Sequence, residues 1–174
     1  GQVESISLIR MLLFELEIWM RDYLISRYID VGDPDVILAQ LNRVVDEFGK
    51  MLVNVFGVEA TGEHLQLFYT YIELFILLIT AQIEGDTEAA NEITRLLYEN
   101  AEQIASFLAS LNPFWDETTL QNNQFRYIQN TIEESLTFLT GEFDRNIDIF
   151  AQALRRTESE GNYLALGLFR YMSA

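Results

Sequence analysis

Any chemistry in this chain rests on a short inventory of side chains. There is one histidine, His64, and no cysteine; Lys50 is the one lysine among 11 basic residues, against 27 acids. Without cysteine there is no thiol nucleophile, disulfide framework, zinc ribbon or iron–sulfur ligation, and its absence fits a reducing cytoplasm. A Ser–His–acid triad would have to use His64, and no serine is marked as its partner. Near a helix start, a lone histidine reads first as a surface or capping residue. Phosphate cradles need closely spaced glycines followed by lysine, whereas no two glycines here lie closer than Gly57 and Gly62. Neither a Gly-x-Ser-x-Gly elbow nor an EF-hand calcium loop is present. We expect no catalytic residue, no cofactor and no enzyme activity.

The acids are the more serious candidates, because helical bundles host carboxylate–histidine di-metal centres built on Glu-x-x-His. That motif does not occur. Glu15, Glu17, Glu73, Glu99, Glu102, Glu133 and Glu134 fall in helical segments, and most read as solvated face, so no metal ligand is expected. One polar line does stand out: Gln124, Tyr127, Thr131 and Glu134 follow helical spacing on the shoulder of an apolar stripe. Polar groups beside a core must find partners. The line is therefore either an interhelical network that fixes register or the wall of a small polar pocket.

The elements that position these residues are well punctuated. Apolar spacing of three and four predicts a helix over 5–29, with Ile9, Leu12, Leu13, Leu16, Met20 and Tyr23 on one face. Gly32 should stop it, Asp33 cap the next, and Pro34 open a helix over 34–56, with Gly49 a weak point and Gly57 its end. Thr61 is placed to cap a helix over 62–84. Gly85-Asp86 forms a stop-then-cap pair before a helix over 87–111, which ends at Asn112-Pro113. Asp116 should cap a helix over 117–139 whose core stripe is Phe125, Ile128, Ile132, Leu136 and Leu139. After Gly141 a last helix runs over 143–172, with Gly161-Asn162 able to split it.

These six segments make the chain all-α, a single helical-bundle domain over 1–174. Helices of about 36 Å joined by tight turns pack most simply as an up-and-down four-helix bundle with one or two added helices. The 174 residues bury enough surface, about 70% of the unfolded chain's, to need no staple. Leu65 to Ile83 is nearly long enough to span a bilayer, but Gln66, Glu73 and Gln82 interrupt it and a core helix fits better. Two helices are too oily for one buried face. Met11, Phe14, Ile18 and Ile25 back the first stripe, and Leu74 to Ile79 is continuously apolar. Their cover must come from the 34–56 and 143–172 helices or from a second copy. The formal net charge of −16 excludes nucleic acid and anionic membranes as partners and reads as solubility.

With those elements in place, the chain resembles a family of uncharacterised helical-bundle proteins of spore-forming Firmicutes, some labelled acetylglutamate kinase. The likeness rests on Trp19-Met20-Arg21, Gly85-Asp86, Tyr98-x-Asn100-Ala101, Asn112-Pro113-Phe114-Trp115 and Thr131-x-x-Glu134 before Gly141. It implies a ferritin-like bundle with histidines beside acids on three helices. Leu16, Tyr71 and Tyr127 stand where those histidines would align, and Glu134 alone matches a ligand. The resemblance thus implies a scaffold kept and a ligand set lost, and nothing in the sequence cradles the phosphates a kinase needs. A non-enzymatic cytoplasmic bundle acting through a protein partner or as a homodimer is the leading expectation. The alternatives are a degenerate carboxylate metal site and a small apolar ligand held between helices. The candidate pocket is Leu16, Tyr71, Gln124, Tyr127, Thr131 and Glu134, with Leu16, Tyr71, Tyr127 and Glu134 expected in mutual contact around a dry middle.

Overall fold

The computed structural model describes residues 1–174 and is all-α. Six long helices follow one another: α1 (Gln2–Ile29), α2 (Pro34–Phe56), α4 (Gln66–Glu84), α5 (Thr87–Leu111), α6 (Glu117–Thr140) and α7 (Phe143–Ser173). Between α2 and α4 lie a single helical turn, α3 (Val58–Thr61), and a 3-10 turn at Gly62–His64. Each long helix packs on the next, and α7 returns to α1, so the six close into a ring; α1 also reaches α6. One contiguous apolar core fills it, with Ile9, Leu24, Leu41, Phe75, Leu97 and Ile128 fully buried.

The joints form for the local reasons expected. The Asp33 carboxylate accepts from the Asp35 N–H with Pro34 behind it, Asp86 accepts from Ala89, and Asp116 accepts from both the backbone and the hydroxyl of Thr119. Gly85 and Gly141 take left-handed φ values of +72° and +75°, which let α4 and α6 stop abruptly. The α1 stop differs from expectation: Asp30 itself adopts the left-handed conformation at φ 58°, one residue pair before Gly32.

Four further expectations are corrected. Thr61 does not cap α4; it ends α3, donating its hydroxyl to the Gly57 carbonyl, and α4 begins only at Gln66. Gly49 does not interrupt α2, which is continuous from Pro34 to Phe56; it is buried, with a Leu65 methyl 3.5 Å from where a Cβ would stand. Gly161 does not split α7, which is continuous because α1 passes over the glycine, Arg10 Cα lying 3.6 Å from a Cβ placed there. Leu136 and Leu139 are not core. They are 44% and 49% exposed, and α6 turns Tyr127, Thr131, Glu134 and Ser135 inward instead.

Cover for the oily helices comes from within the chain, though not quite as expected. α1 lies between α2 and α7, but α4 is covered by α2 and α5 rather than by α7. The stretch Val58–Glu84 is long and apolar enough to cross a membrane by length and composition, with a window of mean hydropathy 1.4. In the structure Tyr71, Ile72, Phe75, Leu78 and Ile79 of α4 are buried in the ring, and Glu73 faces outward. Met11, Ile18 and Leu77 remain exposed.

The Asn112–Trp115 joint locks the ring at one end. Asn112 Nδ2 donates to the Gly167 carbonyl at 3.1 Å, and its Oδ1 accepts from Phe114 N–H at 2.9 Å. Trp115 Nε1 donates to the Leu164 carbonyl at 3.2 Å. A Cβ on Gly167 would stand 2.5 Å from the indole, so only glycine lets Trp115 seat against α7.

Candidate functional site

Two clusters of charge are buried in this apolar ring, and they differ in one respect. In the first, Arg21 on α1 donates to Glu134 Oε1 at 2.6 Å and to Asn146 Oδ1 at 2.8 Å. Asn146 Nδ2 in turn donates to the Glu134 carbonyl and the Thr137 hydroxyl at 3.2 and 3.0 Å. The guanidinium also lies 4.5 Å over the Phe150 ring. Burial pushes the Glu134 carboxyl up and Arg21 holds it down. Every strong group here has a partner, so the cluster ties α1 to the α6–α7 hairpin as a closed structural unit.

In the second cluster the partners run out. Arg156 on α7 lies between two carboxylates, 3.1 Å from Glu160 and 3.7 Å from Glu17, and neither approach is aligned as a hydrogen bond. Its one aligned bond goes to the Arg126 carbonyl at 3.3 Å. Glu17 Oε2, Glu160 Oε1, Gln124 Oε1 and Tyr127 Oη are all buried without a hydrogen-bond partner. Burial pushes the Glu17 carboxyl up to about 7, with Glu134 and Glu160 adding to it and Arg156 opposing. Glu160 is pushed up to about 7 by burial against the pull of Arg156 and Arg126. The Tyr71 and Tyr127 hydroxyls are raised well above the usual tyrosine range, again chiefly by burial.

These groups line one end of a cavity of about 140 Å³ to which all six long helices contribute. Glu17, Gln124, Tyr127, Thr157 and Glu160 form its polar end; Leu12, Val45, Phe48, Ile72, Ile104 and Leu164 are among its apolar walls. The half-buried Leu13, Phe48 and Asn123 also border it.

Of the six residues expected to form a pocket, the structure brings four together. Leu16, Tyr71, Gln124 and Tyr127 line the cavity, and the Tyr71 and Tyr127 rings lie 6.1 Å apart. Tyr71 Oη also reaches across to the Gln124 carbonyl at 3.5 Å. Thr131 does not join them; its hydroxyl donates to the Tyr127 carbonyl one turn back. Glu134 is not on the flank of α6 and does not line the cavity; it is buried and held by Arg21. The polar line is thus split between both expected roles, with Gln124 and Tyr127 in the pocket wall and Glu134 in the interhelical network. Charge does stand in the middle of the bundle, on Glu17, Arg156 and Glu160.

Sequence reasoning passed over those three. Glu17 stands among seven helical acids that the sequence does not separate, yet it falls in phase with Leu13, Met20 and Leu24, four before it and three and seven after. Glu160 stands four before Leu164 and four after Arg156, which is the signal on α7. His64 is exposed and stacks on Phe107 with centroids 4.7 Å apart, a packing role on the surface. No three histidine, aspartate or glutamate side chains converge in a geometry that could hold a metal ion. No known protein family, curated protein or solved structure matches the chain.

Proposed function

We propose that this protein binds a small amphipathic molecule in the cavity inside its helical ring. One observation carries the reading: Glu17 Oε2, Gln124 Oε1 and Tyr127 Oη are buried beside the cavity with no partner. Orphaned polar atoms in a core cost about 1–3 kcal/mol each, so native structures rarely keep them without use. Of the eight such atoms in the chain, six belong to Glu17, Gln124, Tyr127, Arg156 and Glu160, with Ser26 Oγ and Asn100 Oδ1 elsewhere, whereas the Arg21 cluster a short way along the same helix is fully paired. The volume is close to the roughly 150 Å³ of an apolar cavity that takes up benzene. Toluene titrated into methyl-labelled protein tests this. Saturable shifts at Leu16, Ile72 and Leu164 are expected, and no shift at any cavity methyl refutes it.

The ring itself is proposed to be an up-and-down bundle of ferritin-like kind, a reading supported by tight glycine turns and by contact between every consecutive pair of long helices. A degenerate carboxylate metal site has less support, since Glu134 is engaged by Arg21 at 2.6 Å. Self-association keeps a specific observation in its favour. Leu136, Leu139, Phe143 and Ile147 are 44–57% exposed about the α6–α7 turn, the sort of apolar patch that marks interfaces. Light scattering on the eluting protein tests it: a dimer that Leu139→Gln and Phe143→Gln together reduce to monomer supports it, and a monomer at high concentration refutes it.

A further inference from the structure

We infer that the cavity takes a compact apolar molecule carrying a single primary amine, with the ammonium seated among Glu17, Gln124 and Tyr127. The inference rests on the binding reading above and adds the chemical class of the ligand.

Among the residues that line the cavity, the unpartnered atoms are chiefly acceptors. A carboxylate accepts only, and an amide oxygen accepts only. Glu17 Oε2, Glu160 Oε1 and Gln124 Oε1 therefore offer three unfilled acceptors, and Tyr127 Oη can take or give one bond. The nearest cation, Arg156, is not part of the lining; it lies 3.7 Å from Glu17 and 3.1 Å from Glu160 without an aligned hydrogen bond to either, and its own Nε and Nη2 are unpaired. Counted with both carboxyls ionised, the pole carries two negative charges against the one positive charge of Arg156, with the exposed Arg126 pulling on Glu160 from outside it. A primary ammonium brings one positive charge and three N–H donors with no acceptor, which fills the charge deficit and three of the open positions together. An anionic head would meet two carboxylates across the cavity, and a neutral hydroxyl would supply one donor where three are missing.

The remainder of the cavity sets the size of the rest of the molecule. The walls away from the pole are aliphatic and aromatic, and the volume admits one ring or a short alkyl chain beyond the nitrogen. Trapped water is the competing occupant, since a roomy polar site ordinarily holds it. Water would fill the same acceptors but would leave the site with no preference for charge.

The test compares four molecules of nearly equal shape, toluene, benzyl alcohol, benzylamine and benzoate, by methyl chemical-shift titration at pH 8, where both carboxyls are ionised. Benzylamine is expected to bind at least tenfold more tightly than benzyl alcohol, and benzoate not measurably. Glu17→Gln keeps the shape and removes the charge, and should erase most of the benzylamine preference while leaving toluene binding in place. Tyr127→Phe is the second variant, should Glu17→Gln perturb folding. It should weaken benzylamine severalfold with toluene unchanged. Benzyl alcohol matching benzylamine, or variants that leave the preference intact, overturns the amine assignment and leaves the cavity reading standing. If none of the four binds, both readings fall.

Discussion

Replacing Arg156 with methionine should destabilise the protein strongly at pH 8 and little at pH 5.5. Arg156, its side chain 11% exposed, lies between Glu17 and Glu160 and is the cation that opposes the effect of burial on both. The charged groups acting on Glu17 are Arg156 and Glu160 from α7, Glu134 from α6 and Arg21 on its own helix; Tyr71 and Tyr127 face it from α4 and α6. Both carboxyls titrate near 7 in the folded chain against an ordinary value of 4.5. Their folded pKa is raised, so the stability they contribute is full below the ordinary carboxylate range and is lost as pH climbs through about 7. At about 1.4 kcal/mol per pH step, each carboxyl withdraws about 2 kcal/mol between pH 5.5 and 7.

At pH 8, then, Arg156 stabilises two buried carboxylates, and deleting one member of such a group costs about 3–5 kcal/mol. At pH 5.5 both acids are largely protonated. The substitution then removes a cation with little to pair with and one bond to the Arg126 carbonyl, a change of about 1 kcal/mol. Urea unfolding followed by far-ultraviolet circular dichroism at the two pH values measures both costs. A penalty that is equal at pH 5.5 and pH 8, or larger at the lower, refutes the reasoning.

Other outcomes follow from single contacts. Gly167→Ala puts a methyl 2.5 Å from the Trp115 indole and should lower Tm by about 4–12 °C, from about 2–3 kcal/mol of overpacking and weakened indole bonding. Gly161→Ala meets only ordinary contacts at 3.6 Å and beyond, and should raise Tm by about 1–4 °C through helix propensity, as read in the same melts. Arg21→Met strands Glu134 and Asn146 in the closed cluster and should cost about 3–5 kcal/mol in urea unfolding; a loss below about 1 kcal/mol would show that the pair is not truly buried.

The ends of the helices were legible in the sequence because capping is local. Asp33-Pro34, Gly85-Asp86 and Asp116 each act within four residues of themselves, and the structure uses them as read. The inward face of α6 was not legible. Its apolar residues favour the Leu136 and Leu139 side, and the buried side carries Tyr127, Thr131, Glu134 and Ser135; Thr131 and Ser135 bond back to their own helix, but Glu134 is held by Arg21 and Asn146 from other helices. Glu17 was not singled out for the same reason, since its partner Arg156 lies more than a hundred residues away and no local pattern announces it. Gly161 is the opposite case: read alone it looks like a break, whereas the close passage of α1 gives it a packing role.

Closure of the ring has a consequence for the groups it encloses. Glu17 sits on α1 and Arg156 and Glu160 on α7, so the two halves of the polar pole are joined by the contact that closes the ring. Burial is what raises the pKa values of Glu17, Tyr71 and Tyr127, so any loosening of α7 that let water reach them would bring all three back towards ordinary values. The chamber, and any selectivity it exerts, is thus a property of the closed ring and of no single helix.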